Sequence, residues 1–349
     1  MMGTMKAAVL TSPKHIEIQH KEIPVPKDNE VLIRIHTVGL CGSDVHYYEH
    51  GKIGPYVVER PIILGHEAAG EIVELGAKAP GHLRKGQRVA IEPGATCGKC
   101  EYCTSGRYNL CPHVEFLATP PYDGAFCEYV AIRADLVFPI PDGMSVETAA
   151  LIEPFSVGLH AVRRGELKAG ETVVIMGMGP IGLLTAANAK LAGARTIIGV
   201  DFEQSRLDVA LQIGATHTVN LRSENLAERI RALTEGRGVD VAIETAGHPK
   251  AIHNAVSSVK RGGRVVVVGM SPQDEVPVQM SLIVDSEIDV RGVFRYHDTY
   301  PAAIEILSNG TVDIEQIITG KYTLDETAAA FERAIADKTN TLKMMIYPQ

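Results

Sequence analysis

No uninterrupted apolar run in the 349-residue sequence is long enough to span a bilayer, which argues against a membrane-spanning helix. An export signal is also missing. Met1 through Leu10 passes directly into strand-like sequence without the charged-then-apolar order such signals need, so a cytoplasmic protein with no membrane partner is expected. Positive charge is scarce: 34 Lys and Arg against 42 Asp and Glu give a formal net charge of -8. A nucleic-acid or anionic-membrane partner would need a clustered basic surface, and a small uncharged substrate fits better. Only six cysteines occur. In a chain of this size without a signal they are expected to stay reduced and bind metal rather than pair as disulfides. Internal repeats, low-complexity tracts and long flexible linkers are absent as well, which predicts two domains sharing a fixed cleft.

What is present supports two cores, with 45% hydrophobic residues over a length that suits two ordinary domains. From Lys6 to about Glu153 the segments are short and strand-like, as in Val31-Leu32-Ile33-Arg34-Ile35, and are punctuated by Pro24, Pro26, Pro93, Pro139 and Pro141. This predicts an antiparallel, barrel-like domain. Beyond Glu153, apolar strands at Val173–Met176, Ile197–Val200, Val241–Ile243 and Val265–Val268 alternate with helical stretches, the pattern of a parallel doubly wound sheet. The alternation ends near Gly292. The tail, with an amphipathic helix over Asp325 to Asp337 and a strand over Leu342 to Tyr347, is expected to return to the first domain. The predicted boundaries are 1–154 with 293–349, and 155–292.

Gly177-Met178-Gly179-Pro180-Ile181-Gly182 follows an apolar strand and opens a predicted helix over Ile181 to Ala192, the context in which G-x-G-x-x-G binds a dinucleotide. Gly177 permits the turn, Gly179 lets backbone approach a pyrophosphate, and Gly182 lets helix pack on strand while the helix N-terminus faces the anion. Asp201 ends the next strand, where a carboxylate accepts ribose hydroxyls and repels a 2′-phosphate, so NAD is expected rather than NADP. Arg206 is assigned to stacking on the adenine.

Two metal sites are expected. Cys97, Cys100, Cys103 and Cys111, spaced C-x2-C-x2-C-x7-C, offer four thiolates, which fill a tetrahedral zinc and make a closed structural site. Cys41, His66 and Glu67 supply three mixed ligands and leave a position open for water or an alcohol oxygen.

Cys41-Gly42-Ser43-Asp44-Val45-His46 with Gly65-His66-Glu67-Ala68-Ala69-Gly70 and Gly76 resembles the zinc signature of the medium-chain dehydrogenases, and the cysteine lobe and glycine motif follow in that family's order. The resemblance covers essentially the whole chain. Val45-His46-Tyr47-Tyr48, Ala118-Thr119-Pro120-Pro121, Leu151-Ile152-Glu153-Pro154 and Gly292-Val293-Phe294-Arg295-Tyr296 are similar to the sorbitol (polyol) dehydrogenase branch. The fold this implies is a GroES-like β-rich catalytic domain plus a Rossmann domain. The implied activity is NAD-dependent oxidation of a sugar alcohol to the ketose, with one catalytic and one structural zinc in a homotetramer.

By the same resemblance, Cys41, His66 and Glu67 plus water form the catalytic zinc shell, and Glu153 binds that water or moves onto the metal. Glu153, or alternatively Ser43 with His46, takes the alcohol proton. Tyr47, Phe116, Glu153, Arg295 and Tyr296 face substrate, while Val268, Gly269, Met270, Val293, Phe294 and Arg295 flank the nicotinamide half of the cofactor. Cys127, in Gly124-Ala125-Phe126-Cys127-Glu128-Tyr129, is read as buried core. A threonine or vicinal-diol dehydrogenase of the same family is the alternative substrate reading. A cofactor-binding protein without turnover is a third, disfavoured because Cys41, Ser43, His66, Glu67 and Glu153 are all present.

Overall fold

Thr4–Ser12 (β1), His15–Glu22 (β2) and Glu30–Leu40 (β3) open the chain as strands in a computed structural model that describes residues 3–273 and 275–348. The extreme ends of the first predicted domain, Met1, Met2 and Gln349, and Asp274 of the second, lie outside the described residues. β1 and β2 pair antiparallel, and β2 alternates exposed and half-buried positions, as a strand with one wet face must. After helix Gly42–His50 (α1) come Ile62–Ile63 (β4), which pairs with β1, then Glu67–Leu75 (β5), Arg88–Ile91 (β6), Tyr129–Arg133 (β7) and Val137–Pro139 (β8). Helix Val146–Arg164 (α2) carries Pro154 in its interior, which leaves one carbonyl a turn earlier without its helical donor.

The second unit alternates strand and helix. Its strands are Thr172–Met176 (β9), Thr196–Asp201 (β10), His217–Asn220 (β11), Val239–Glu244 (β12), Val259–Val267 (β13) and Asp289–Gly292 (β14). Helices Pro180–Leu191 (α3), Gln204–Ile213 (α4), Leu226–Leu233 (α5) and Pro249–Ser258 (α6) form the crossovers. All pairings are parallel, in the order β11-β10-β9-β12-β13-β14. The order reverses between β9 and β12, so the crevice beyond their carboxyl ends is where such a sheet takes ligands. Val173, Val174 and Ile175 on β9 and Val241, Ala242 and Ile243 on β12 are fully buried, which is why these runs are apolar without alternation.

The tail rejoins the first sheet. Ile318–Thr323 (β15) pairs parallel with Lys343–Tyr347 (β16), and helix Thr327–Ala336 (α7) lies between them in sequence. β3 gives one edge to β5, while β7 takes residues 30–34 and β16 takes residues 38–40. The chain thus divides into Met1–Glu153 with Tyr300–Thr311 and Ile318–Gln349, and Pro154–Thr299 with Val312–Ile317. Residues 293–299, grouped with the first domain on sequence grounds, cluster with the second unit, where the Val293 N–H donates to the Val267 carbonyl at the end of β13. Among the described residues no helix is long and apolar enough to cross a membrane.

Candidate metal centres and dinucleotide cradle

Cys41 stands at the N-terminal cap of α1, with extended backbone, and Asp44 on the first turn accepts the Cys41 N–H at 3.1 Å. The second oxygen of the same carboxylate accepts the Gly65 N–H at 3.0 Å and faces His66 Nδ1 at 3.5 Å. One fully buried aspartate therefore ties the cysteine to the Gly65-His66-Glu67 step and orients the imidazole. Sequence reading passed over Asp44, although a carboxylate three residues after a cap cysteine carries the signal of a capping box.

β5 begins at Glu67, and the ligand atoms of Cys41, His66 and Glu67 lie within 4.8 Å of one another. The set is largely buried, His66 at 7% and Glu67 at 0% exposure. Burial works against a charged imidazole, but the negative charge of Asp44 and Cys41 outweighs it and holds His66 well above the usual histidine range. Such a pocket favours a positive charge, and a thiolate, an imidazole and a carboxylate converging there are a donor set that zinc accepts. The site fits the expected metal.

Glu67 has a second partner that the sequence did not disclose. Lys343, the first residue of β16, places Nζ 2.7 Å from each Glu67 oxygen and 3.1 Å from the Leu40 carbonyl. Both side chains are buried. Burial alone would lower the Lys343 pKa, yet Glu67, Cys41 and Glu153 raise it, so the ammonium stays charged. A Cβ at Gly39, opposite Glu67 across β3 and β5, would overlap this carboxylate, so glycine there makes room for the pair.

Glu153 is buried on α2 and close enough to act on Lys343, but it is not among the three converged ligand residues. Ser43 and His46 are half-buried on α1, and His46 packs edge-on against His50 at 4.7 Å. Desolvation, reinforced by His50, lowers the His46 pKa. Tyr47 is buried, and Phe116 packs 5.7 Å from the His66 ring. Cys127 is core: its thiol donates to the Tyr129 carbonyl at 3.3 Å, and burial pushes its pKa up to about 12.

Cys97, Cys100, Cys103 and Cys111 also converge within 4.8 Å. Cys97 and Cys103 sulfurs stand 3.9 Å apart and Cys100 and Cys103 sulfurs 3.4 Å, bracketing the roughly 3.8 Å edge of a tetrahedron with zinc–sulfur bonds of about 2.3 Å. N–H groups of Lys99 and Cys100 pull the Cys97 thiol down to about 6, whereas burial, aided by Cys100 and Cys111, pushes Cys103 up to about 11. All four are free thiols. They fit a closed zinc site.

In the second unit the glycine motif forms a tight turn with open space at its tip. Gly177 has φ +93, a conformation that disfavours side chains, and a Cβ at Gly182 would overlap the Gly177 carbonyl oxygen. Around Gly179 the space a Cβ would take is open, and Pro180 and Ile181 begin α3 directly after it. Asp201 braces the loop: one oxygen accepts the Met178 N–H at 2.7 Å, the other the N–H groups of Phe202 and Glu203 at 2.7 and 3.0 Å. Arg206 points a guanidinium nitrogen at Asp201 from 3.9 Å. Val268 and Gly269 are half-buried, Met270 and Phe294 are exposed, and Arg295 lies 4.7 Å over the Phe294 ring with its backbone at φ +54. Tyr296 is buried.

Residues 27–142 match the model of the alcohol dehydrogenase GroES-like domain, and residues 180–309 that of the zinc-binding dehydrogenases. A sorbitol dehydrogenase of Bacillus subtilis (strain 168) is 53% identical over 344 residues, covering 99% of this chain and 97% of that protein. The chain belongs to the zinc-dependent medium-chain dehydrogenases, in the sorbitol dehydrogenase branch. Two solved relatives share the dehydrogenase's fold. One is a zinc-binding dehydrogenase of Sinorhizobium meliloti 1021 bound to NADP (TM-score 0.89, 32% identity, 99% and 100% of the two chains). The other is a short chain alcohol dehydrogenase of Escherichia coli CFT073 complexed with NADH (TM-score 0.91, 28% identity, 99% of each chain). The dehydrogenase is an oxidoreductase with a GroES-like and a Rossmann part.

Proposed function

We propose that this dehydrogenase oxidises a secondary alcohol of a sugar alcohol such as sorbitol or xylitol to the ketose, with NAD as hydride acceptor. The observation that carries the reading is the full-length likeness to a sorbitol dehydrogenase. A converged site of Cys41, His66 and Glu67, with Glu153 in the segment from which a zinc alcohol dehydrogenase draws its second cysteine, supports it. In this reading the first unit is the catalytic domain, with zinc held by Cys41, His66 and Glu67, and with a structural zinc on the four-cysteine lobe. The second unit, about residues 155–292, binds NAD.

Zinc, when bound, supplies a Lewis acid that eases deprotonation of an alcohol, and NAD, when bound, takes the hydride. The protein's own groups do the rest. Asp44 fixes the imidazole of His66 and the cap of Cys41. Lys343 holds Glu67 in place and balances its charge, so that the cavity carries enough negative charge to keep a metal but not so much that it repels an ionising alcohol. Glu153 takes the hydroxyl proton, and Ser43 with His46 forms the alternative route outward; a carboxylate ranks first because it is the stronger base. Tyr47, Arg295 and Tyr296 supply donors for neighbouring hydroxyls, which discriminates against analogues lacking them. Asp201, already committed to three backbone N–H groups, brings a negative charge that disfavours a 2′-phosphate, and Arg206 turns toward that carboxylate. We further place the protein in the cytoplasm as a homotetramer.

The test is initial-rate assay over C4 to C6 polyols, threonine and 2,3-butanediol with both cofactors. A kcat/KM at least ten-fold higher for a polyol with NAD is expected. Preference for threonine or butanediol would replace the substrate assignment, and preference for NADP would remove the role given to Asp201.

A further inference from the structure

We propose that Glu244 is a positioning residue of the dinucleotide cradle, its carboxylate fixing the turn after β12 while its main-chain carbonyl holds the turn after β13 beside it. The inference rests on the reading of the second unit as the NAD-binding unit and adds a residue to it.

Glu244 ends β12 and is fully buried. Its carboxylate accepts the N–H groups of Ala246 and Gly247, both at 2.8 Å. Its main-chain carbonyl accepts those of Val268 and Gly269 at 2.8 and 3.2 Å. Four backbone donors, two from each turn, thus end on a single residue. The turns touch through backbone: a Cβ at Gly269 would overlap the Gly247 nitrogen, and one at Gly247, where φ is +66, would overlap the Met270 carbonyl oxygen. The same segment reaches the glycine-rich loop. Thr245 Oγ1 donates to the Gly177 carbonyl at 2.9 Å, and a Cβ at Gly177 would come within 2.9 Å of the Ala246 Cβ. Glu244 is therefore the knot joining the loop after β9 to the turn of residues 268–270, on either side of the point where the strand order reverses.

Stability of the sheet alone does not call for a carboxylate here. An apolar residue would fill the volume without desolvation cost, at the expense of leaving the Ala246 and Gly247 N–H groups without this acceptor. Burial raises the Glu244 carboxyl, against the pull of the Ala246, Gly247, His248 and Gly269 N–H groups. A carboxamide can accept the same two donors through its oxygen, whereas a methyl side chain leaves both N–H groups to turn outward into the cradle.

The test compares Glu244→Ala, Glu244→Gln and Glu244→Asp with the parent, measuring NADH binding by fluorescence titration, AMP binding by calorimetry and Tm. AMP occupies only the adenine half and reports on the Asp201 side. In Glu244→Ala, NADH affinity should fall at least ten-fold while AMP affinity stays within two-fold, and Glu244→Gln should restore NADH affinity to within three-fold. If Glu244→Ala does not fold, the same split, smaller in size, is expected of Glu244→Asp, whose carboxylate is drawn back by one methylene. NADH binding unchanged in the folded variants, or NADH and AMP weakened together in step with Tm, overturns the positioning role. Failure of the parent protein to bind NADH overturns instead the reading of the second unit.

Discussion

Lys343, outside every sequence motif, forms with Glu67 the most consequential residue pair of the first unit. Two opposite charges with almost no exposure hold each other at 2.7 Å, and removing one leaves the other buried and uncompensated. Loss of one partner of a buried pair costs about 3–5 kcal/mol. Lys343→Met, similar in volume and uncharged, should lower the unfolding free energy of metal-free protein by about that amount. Glu67→Gln added to it should restore more than half of the loss. Denaturant unfolding with chelator checks both, and a loss below about 1 kcal/mol in the single variant would show that Glu67 finds its compensation elsewhere. Lys343 was not legible in the sequence, because its meaning depends on the register that sets Met344 against Leu40, over 300 positions away. Read locally, it is a lysine at the start of an apolar strand. The clue was on the other side, since a glutamate at the start of the apolar run Glu67-Ala68-Ala69 carries a charge that must be compensated on burial. Asp44 was more accessible, because its capping role follows from spacing alone.

At the scale of the element, the loop between β9 and α3 separates fold from function cleanly. Position 182 has no room for a side chain and position 179 has open space. Gly182→Ala should therefore lower Tm by several degrees, because a methyl group meets a carbonyl oxygen in a packed turn. Gly179→Ala should leave Tm within about a degree and weaken NADH binding at least ten-fold, since its methyl takes space that the pyrophosphate needs. Thermal melts beside fluorescence titration distinguish them, and a Gly179→Ala protein that binds NADH normally would mean that the dinucleotide does not approach at this turn. These elements were readable because their causes are local. Doubly buried parallel strands need continuous apolar residues, and β9, β10 and β12 fall where such runs occur in the sequence. The placement of residues 293–299 was not local in this sense, since Val293 is tied to the end of β13 and Asp298 and His297 meet Arg163 and His160 on α2, contacts that the residues' own pattern does not announce.

For the whole molecule, the two units divide the chemistry as well as the chain. Both metal-ligand clusters belong to the first unit and the glycine cradle to the second, each unit with its own apolar core. The clusters themselves differ in kind. Four thiolates close a tetrahedron and leave a chelator no position to enter, whereas the set of Cys41, His66 and Glu67 leaves one. Metal analysis should find two zinc ions per chain. Mild chelation should remove one, with loss of turnover, while Tm changes little and AMP still binds. Only stronger chelation, or Cys100→Ser, should take the second ion, and Tm should then fall while the first site still retains metal in the variant. Release of both ions in a single step would contradict this division. Loss of AMP binding along with the first ion would show that the second unit depends on metal held by the first, which two separately cored units do not lead one to expect.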